Sequence, residues 1–323
     1  MQKSSKQSTP DLPLQLLAEV ASQSSRVVAP EFTLLARELQ SRFGEALDAV
    51  ILYGSCLHTH NPSEGVVDLY AIVDDYRNAY GKRHLRILNA WLPPNVFYME
   101  VGGEEAVLRC KYAVLSRHDF ERGCRDWFHS YIWARFAQPV RTLYTRDEVT
   151  LHRVNRSLAE AVITFLQTTI PMLGSRNVNA EEIWTRGLAL TYAAELRPEK
   201  RGRERKLTHL NLGDYSRLTG AAVPAMEGRL QAEPEGDFRC MVDKREQRRC
   251  GRKWWLRRQQ GRILSVARLV KAVFTFNHCI EYAAWKIKRH TGVTIEITPR
   301  LRRHPILFGS SILWQLLRRG VLR

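Results

Sequence analysis

Ala49-Val50-Ile51-Leu52-Tyr53-Gly54-Ser55, followed after a polar turn by Val66-Val67-Asp68-Leu69-Tyr70-Ala71-Ile72-Val73-Asp74-Asp75, is the passage that sets the fold. Each run is short, apolar and rich in β-branched and aromatic residues, and each stops at small or acidic residues, as buried strands do. Asn61-Pro62-Ser63-Glu64-Gly65 between them reads as a turn. Val96 to Val101 and Leu108 to Leu115 have the same texture and complete a set of four predicted strands. Upstream, Leu14, Leu16, Leu17 and Val20, then Leu34, Leu35, Leu39 and Phe43, recur at helical spacing, with Pro30 between the two helices. Downstream the spacing predicts helices over 119–137, 155–169 and 180–196, each closed by a proline (Pro139, Pro171, Pro198). The polar stretch 199–235 reads as a connector, and helices are expected again over 263–289 and 306–319. Strands with short helices, then helices alone, predict an α+β fold.

The chain has 323 residues, enough for a sizeable core, and carries 50 Lys and Arg against 33 Asp and Glu, a formal charge of +17. From Arg239 onward there are 21 basic and 4 acidic residues, which leaves 29 of each before it, so the entire excess sits in the last quarter of the chain. That distribution predicts a neutral body carrying the chemistry and a basic region that meets an anionic partner. The six cysteines show no Cys-x-x-Cys pair and are expected to be reduced thiols. No uncharged stretch reaches the roughly 20 residues of a bilayer span. The polar start, Met1 to Pro10, reads as neither a secretory signal nor an organelle presequence.

A strand ending in Gly54-Ser55, a turn, and a second strand opening on Asp68 resembles the nucleotidyltransferase superfamily. The tight turn would present backbone N–H groups to a triphosphate, and a carboxylate across the sheet would hold magnesium at the phosphate under attack. That superfamily usually has Asp-x-Asp, whereas the second position here is Tyr70. Asp74 has the right parity but lies about 20 Å along the strand from Asp68, at about 3.3 Å per residue, so the second carboxylate must come from elsewhere. Glu100 and Glu195 are the candidates. His58 and His60 in the intervening loop carry a weaker signal for a metal site, since exposed loop histidines are usually solvated, and Cys56 beside Ser55 a weaker one for a nucleophile, since no activating base is identifiable.

The ordered segments further resemble one branch, the mitochondrial-type (translocator-maintenance) phosphatidate cytidylyltransferase family, which has bacterial relatives. Leu52-Tyr53-Gly54-Ser55 is similar to its Tyr-Gly-Ser motif, and Val67 to Asp75 to its single-aspartate strand ending in Val-Asp-Asp. Lys111-Tyr112-Ala113-Val114-Leu115-Ser116 is similar to its Lys-Tyr-Gly-Val-Ile-Ser strand; Trp127, Tyr131, Ala134-Arg135-Phe136 and Pro139-Val140 follow its next series. Gly187 to Tyr192 with Glu195-Leu196-Arg197 fits its helix ending in Gly-Asp-x-Arg, with Glu195 for Asp and Ala194 for Gly; Lys271, Phe274-Thr275 and Tyr282 fit its last segment. The match runs in order from Val50 to Arg289 and is poor from Arg201 to Gly261.

The resemblance implies a nucleotidyltransferase-fold mixed sheet with flanking helices, a helical domain and a basic C-terminal helical region. It divides the chain into N-terminal helices (1–45), nucleotidyltransferase core (46–118), helical domain and linker (119–238) and membrane-association region (239–323). The activity implied is transfer of CMP from CTP to phosphatidic acid, giving CDP-diacylglycerol for phospholipid and cardiolipin biosynthesis, with magnesium as cofactor. It places Tyr53, Gly54 and Ser55 on the nucleotide, Asp68 and Glu195 on the metal, and Lys111 and Arg197 on phosphate charges. Phosphatidic acid is insoluble, so an anionic membrane surface is the expected partner and nucleic acid the less expected one. Trp314, Arg318 and Arg319 would contact the bilayer from an interfacial helix, and Trp254-Trp255 would suit a headgroup layer and equally nucleic acid. The expected location is peripheral, on the cytoplasmic face of a bacterial inner membrane or the matrix face of a mitochondrial one. The rival readings are a nucleotidyltransferase acting on RNA and an inactive membrane-bound scaffold.

Overall fold

The structure, a computed structural model, describes residues 12–57, 65–102, 107–195 and 202–275, together with Thr298. The chain opens with helices α1 (Leu14–Ser24) and α2 (Pro30–Phe43), then forms β1 (Leu47–Tyr53), β2 (Val67–Val73), α3 (Tyr76–Ala79), α4 (Arg83–Trp91), β3 (Asn95–Gly102) and β4 (Val107–Ser116). It continues through α5 (Arg117–Arg125), α6 (Trp133–Phe136), β5 (Arg141–Thr145), α7 (Glu148–Thr169), β6 (Asn177–Val178) and α8 (Ala180–Ala194). The last described elements are α9 (Arg203–Leu210), α10 (Leu212–Ala222), β7 (Leu230–Ala232), β8 (Phe238–Cys240) and α11 (Lys244–Thr275).

The architecture is α+β. A five-stranded mixed sheet has the order β3-β4-β2-β1-β5, with β2 antiparallel to β1 and parallel to β4. β1 and β2 are apolar apart from Asp48 and Asp68 because both faces of the sheet are covered. Strand alternation sorts their side chains. Val50, Leu52, Leu69, Ala71, Val73 and Val114 pack with Phe32, Leu35 and Leu39 of α2. Ala49, Ile51, Tyr70, Ile72, Ala113 and Leu115 face a larger helical layer built from α1, α5–α8, α10 and α11. A small sheet, β6-β8-β7, lies beyond that layer.

Three expectations are corrected. The helix predicted over 119–137 is broken between α5 and α6, where the Trp133 indole donates to the Trp127 carbonyl (3.0 Å) and the chain turns back toward the sheet. The stretch 199–235 is not a connector alone: α10 lies in the core, with Tyr215 fully buried and stacked on Trp184 at 3.9 Å. The last described helix begins nineteen residues before the expected Ile263, at Lys244. Its eleven Lys and Arg against a single Glu hide the apolar positions Cys250, Trp254 and Gly261 that seat it. Trp254 is buried and donates to the Thr168 carbonyl (2.9 Å), which removes it from any surface role; Trp255 is exposed. A Cβ on Gly261 would lie 2.0 Å from the Ala194 carbonyl oxygen, so α11 touches the end of α8 directly. The described start of the basic region is thus built into the body. No helix among the described residues is long and apolar enough to cross a membrane.

Candidate functional site

Register brings the first group of residues together at one end of the sheet. Tyr53 is paired with Asp68 across β1 and β2, and Asp68 with Lys111 across β2 and β4. The Lys111 ammonium lies 3.5 Å from the Asp68 carboxylate, both about 29% exposed, so the pair is reachable from solvent. Gly54 ends β1 at φ +88°, where side chains are strained, and a Cβ there would sit 3.4 Å from an Asp68 oxygen. Ser55 opens the 3-10 turn Ser55–Leu57 that follows, closed by the Leu57 N–H donating to the Gly54 carbonyl (3.3 Å).

A second, buried group adjoins it on the helical side of the sheet. The Tyr53 ring contacts Tyr70 at 4.9 Å, and Tyr70 contacts Phe136 at 4.8 Å. Tyr70, two residues beyond Asp68 on β2, is fully buried, and its hydroxyl has no partner among the described residues. Arg135 grips both oxygens of Glu195 (3.1 and 3.0 Å), donates to the Tyr131 carbonyl and stacks on the Tyr131 ring at 3.7 Å. Arg268 of α11 lies over the same ring at 3.8 Å and donates to the Pro93 carbonyl (3.4 Å), leaving one terminal nitrogen without a partner among the described residues. Gly261 sets this arrangement, because close contact of α11 with Ala194 brings Arg268 to the helix end that carries Glu195.

The electrostatics favour neutral phenols and an anion. Burial, and then the Asp68 carboxylate, hold the Tyr53 hydroxyl well above its ordinary range, so it stays a donor. Burial does the same for Tyr70, with Tyr131 adding to it and Arg135 opposing. His129 is driven down to about 4 by burial and by Arg268, and is neutral at pH 7. Among the described residues Asp68 pairs with Lys111 and Glu195 with Arg135, and Arg268 adds a further positive charge. Lys271, one turn beyond Arg268, donates to the carbonyls of Leu92 and Pro94 and is pushed down to about 7 by burial and then by Arg268.

Of the expected site residues, Tyr53, Gly54, Ser55, Asp68 and Lys111 fall together at the sheet end, and Glu195 lies in the adjoining group. Glu195 is occupied as the counter-ion of Arg135, with both its oxygens taken. Glu100 accepts from the Tyr98 hydroxyl (2.7 Å) and pairs with Arg109. Cys56 is buried and its thiol donates to the Val66 carbonyl. Arg197, His58, His60, Trp314, Arg318 and Arg319 lie outside the described residues. Among the described residues no three His, Cys, Asp or Glu side chains cluster as a ready metal site. One accessible carboxylate still suits magnesium, which keeps most of its waters and takes its other ligands from substrate phosphates. Sequence reasoning missed Arg268 and His129. The signal for Arg268 was available: it and Lys271 are the only charged residues in the run Ile263 to Phe276. Compared with protein-family models and with curated proteins, the chain matches none.

Proposed function

We propose that the protein is a nucleotidyltransferase that transfers CMP from CTP to phosphatidic acid at a membrane surface. The observation that carries the reading is the Gly54 turn beside the half-buried Asp68–Lys111 pair at one end of a mixed sheet, adjoined on the helical face by a buried cationic cluster whose donors are not all paired among the described residues. On this reading a phosphate oxygen of the acceptor attacks the α-phosphorus of CTP; one P–O bond forms, the bond to the β-phosphate breaks, and pyrophosphate leaves with the electron pair. The phosphate dianion is already a nucleophile, so no general base is needed and catalysis rests on positioning and charge. Asp68 would hold magnesium, which supplies charge neutralisation at the triphosphate when bound. Lys111 serves the triphosphate from beside it, Tyr53 donates from the end of β1, and Arg268 offers its charge to the acceptor phosphate.

The reading is tested with radiolabelled CTP, magnesium and phosphatidic-acid vesicles, comparing the protein with Asp68→Ala. A lipid-extractable cytidine product that disappears in the variant supports it. CTP binding without that product points to another acceptor such as RNA, and absence of CTP binding points to a scaffold.

A further inference from the structure

Away from the sheet end, α11, α7 and the turn before β7 border an open cavity of about 370 Å³. Arg249, Lys253 and Arg257 line it at four-residue spacing, which places them on one face of α11. Arg249 and Lys253 are exposed at its rim, and Arg257 is 8% exposed. Its two acids, Glu227 and Glu246, are both taken by Arg229 (2.7 Å each). Arg257 therefore has no carboxylate partner among the described residues. Its Nε donates to the Phe128 carbonyl (2.7 Å), its guanidinium lies 4.7 Å from the Phe128 ring and 4.9 Å from that of Trp254, and Nη1 has no partner. Aromatic faces ease the burial of a guanidinium but do not neutralise it, and a buried charge without a counter-ion is costly. Like charges four apart on a helix also repel one another. Both costs are relieved by one anion held between the three side chains.

We infer that this cavity is a second anion site, distinct from the sheet end, that takes a phosphate group through Arg249, Lys253 and Arg257. Guanidinium nitrogens match phosphate oxygens in geometry. The group can arrive as free phosphate or as the headgroup of an anionic lipid. The inference does not rest on the cytidylyltransferase reading, and its test contains no CTP.

The full chain is titrated with inorganic phosphate, read by tryptophan fluorescence because Trp254 adjoins Arg257, and is separately floated with phosphatidylcholine vesicles with and without phosphatidylglycerol. Arg249→Gln/Lys253→Gln is compared with Arg248→Gln/Arg252→Gln, which removes the same charge from exposed positions of α11 outside the cavity. Arg257→Gln is added where it folds; the rim pair keeps the test decisive where it does not. Loss of phosphate affinity by about tenfold or more in the rim pair alone supports a free-phosphate site. The same split in flotation, with phosphate inert, supports a headgroup site. Equal behaviour of the two double variants toward both probes overturns the inference.

Discussion

Replacing Glu195 with alanine strips the buried Arg135 of its counter-ion. The two side chains are 8% and 11% exposed and joined by two hydrogen bonds. Removing one partner of such a pair costs about 3–5 kcal/mol, because the remaining charge is left desolvated. Arg135 retains the Tyr131 ring and carbonyl, which are compensation that alanine at 195 does not touch, so the lower end, about 3 kcal/mol, is expected. At about 2 °C per kcal/mol for a chain of this size, the melting temperature falls by roughly 6 °C. Denaturant unfolding of Glu195→Ala, Arg135→Met and the double variant, all in EDTA, forms a double-mutant cycle. The double variant is expected to be no less stable than Glu195→Ala, giving a coupling of about 2 kcal/mol or more. Chelator matters: a carboxylate whose main task were to hold magnesium would show its effect in metal dependence, not in stability without metal. A coupling below about 1 kcal/mol in EDTA would refute the counter-ion assignment.

Gly54→Ala places a side chain at φ +88° against Asp68; a cost of about 1–2 kcal/mol in unfolding free energy is expected and, on the proposed reading, loss of CTP binding, and unchanged CTP affinity by calorimetry would contradict that reading. Gly261→Ala must push α11 from the Ala194 carbonyl and lowers stability by about 1–3 kcal/mol, read in urea. Arg268→Lys keeps the charge but loses the flat contact with Tyr131, so on the proposed reading the acceptor KM rises about tenfold with kcat nearly unchanged. Lys271 titrates near 10.5 when unfolded and about 7 when folded, so the unfolded chain binds more protons between these values and stability rises with pH across them. Wild type should gain stability from pH 7 to 9 relative to Lys271→Met, and parallel profiles would count against a buried, discharged lysine.

The central strands were legible because an interior sheet demands apolar residues on both faces, and Val50 to Tyr53 and Val67 to Val73 contain nothing else except Asp68. That exception marked the site, and strand parity correctly put Tyr70 on the face of Asp68. β5 left little trace, since Arg141-Thr142-Leu143-Tyr144-Thr145 is an edge strand whose residues are all only partly buried. α10 was legible but unread: Tyr215, Leu218 and Ala222 keep helical spacing inside a polar stretch. The charged neighbourhood of Tyr70 was not legible at all, because Tyr131 with Arg135, Glu195, and Arg268 come from three separate parts of the chain and meet only when α8 and α11 touch at Gly261.

Tyr70 is the residue that best connects sequence to proposed chemistry. A carboxylate in its place would be buried, two residues from Asp68 on the same strand face and near Glu195. On the proposed reading it would offset the Arg268 charge, and a phosphate dianion would then meet a neutral site in place of a cationic one. A nucleotidyltransferase whose acceptor is a hydroxyl gains from a second carboxylate, because the nucleophile has to be deprotonated and its charge managed. An acceptor that arrives as a dianion needs the opposite. Tyr70→Asp is therefore expected to be a worse enzyme toward a phosphate acceptor than Tyr70→Phe, which removes only an unpaired hydroxyl. If the two variants lose CDP-diacylglycerol synthesis equally at matched stability, pocket charge is not what Tyr70 protects.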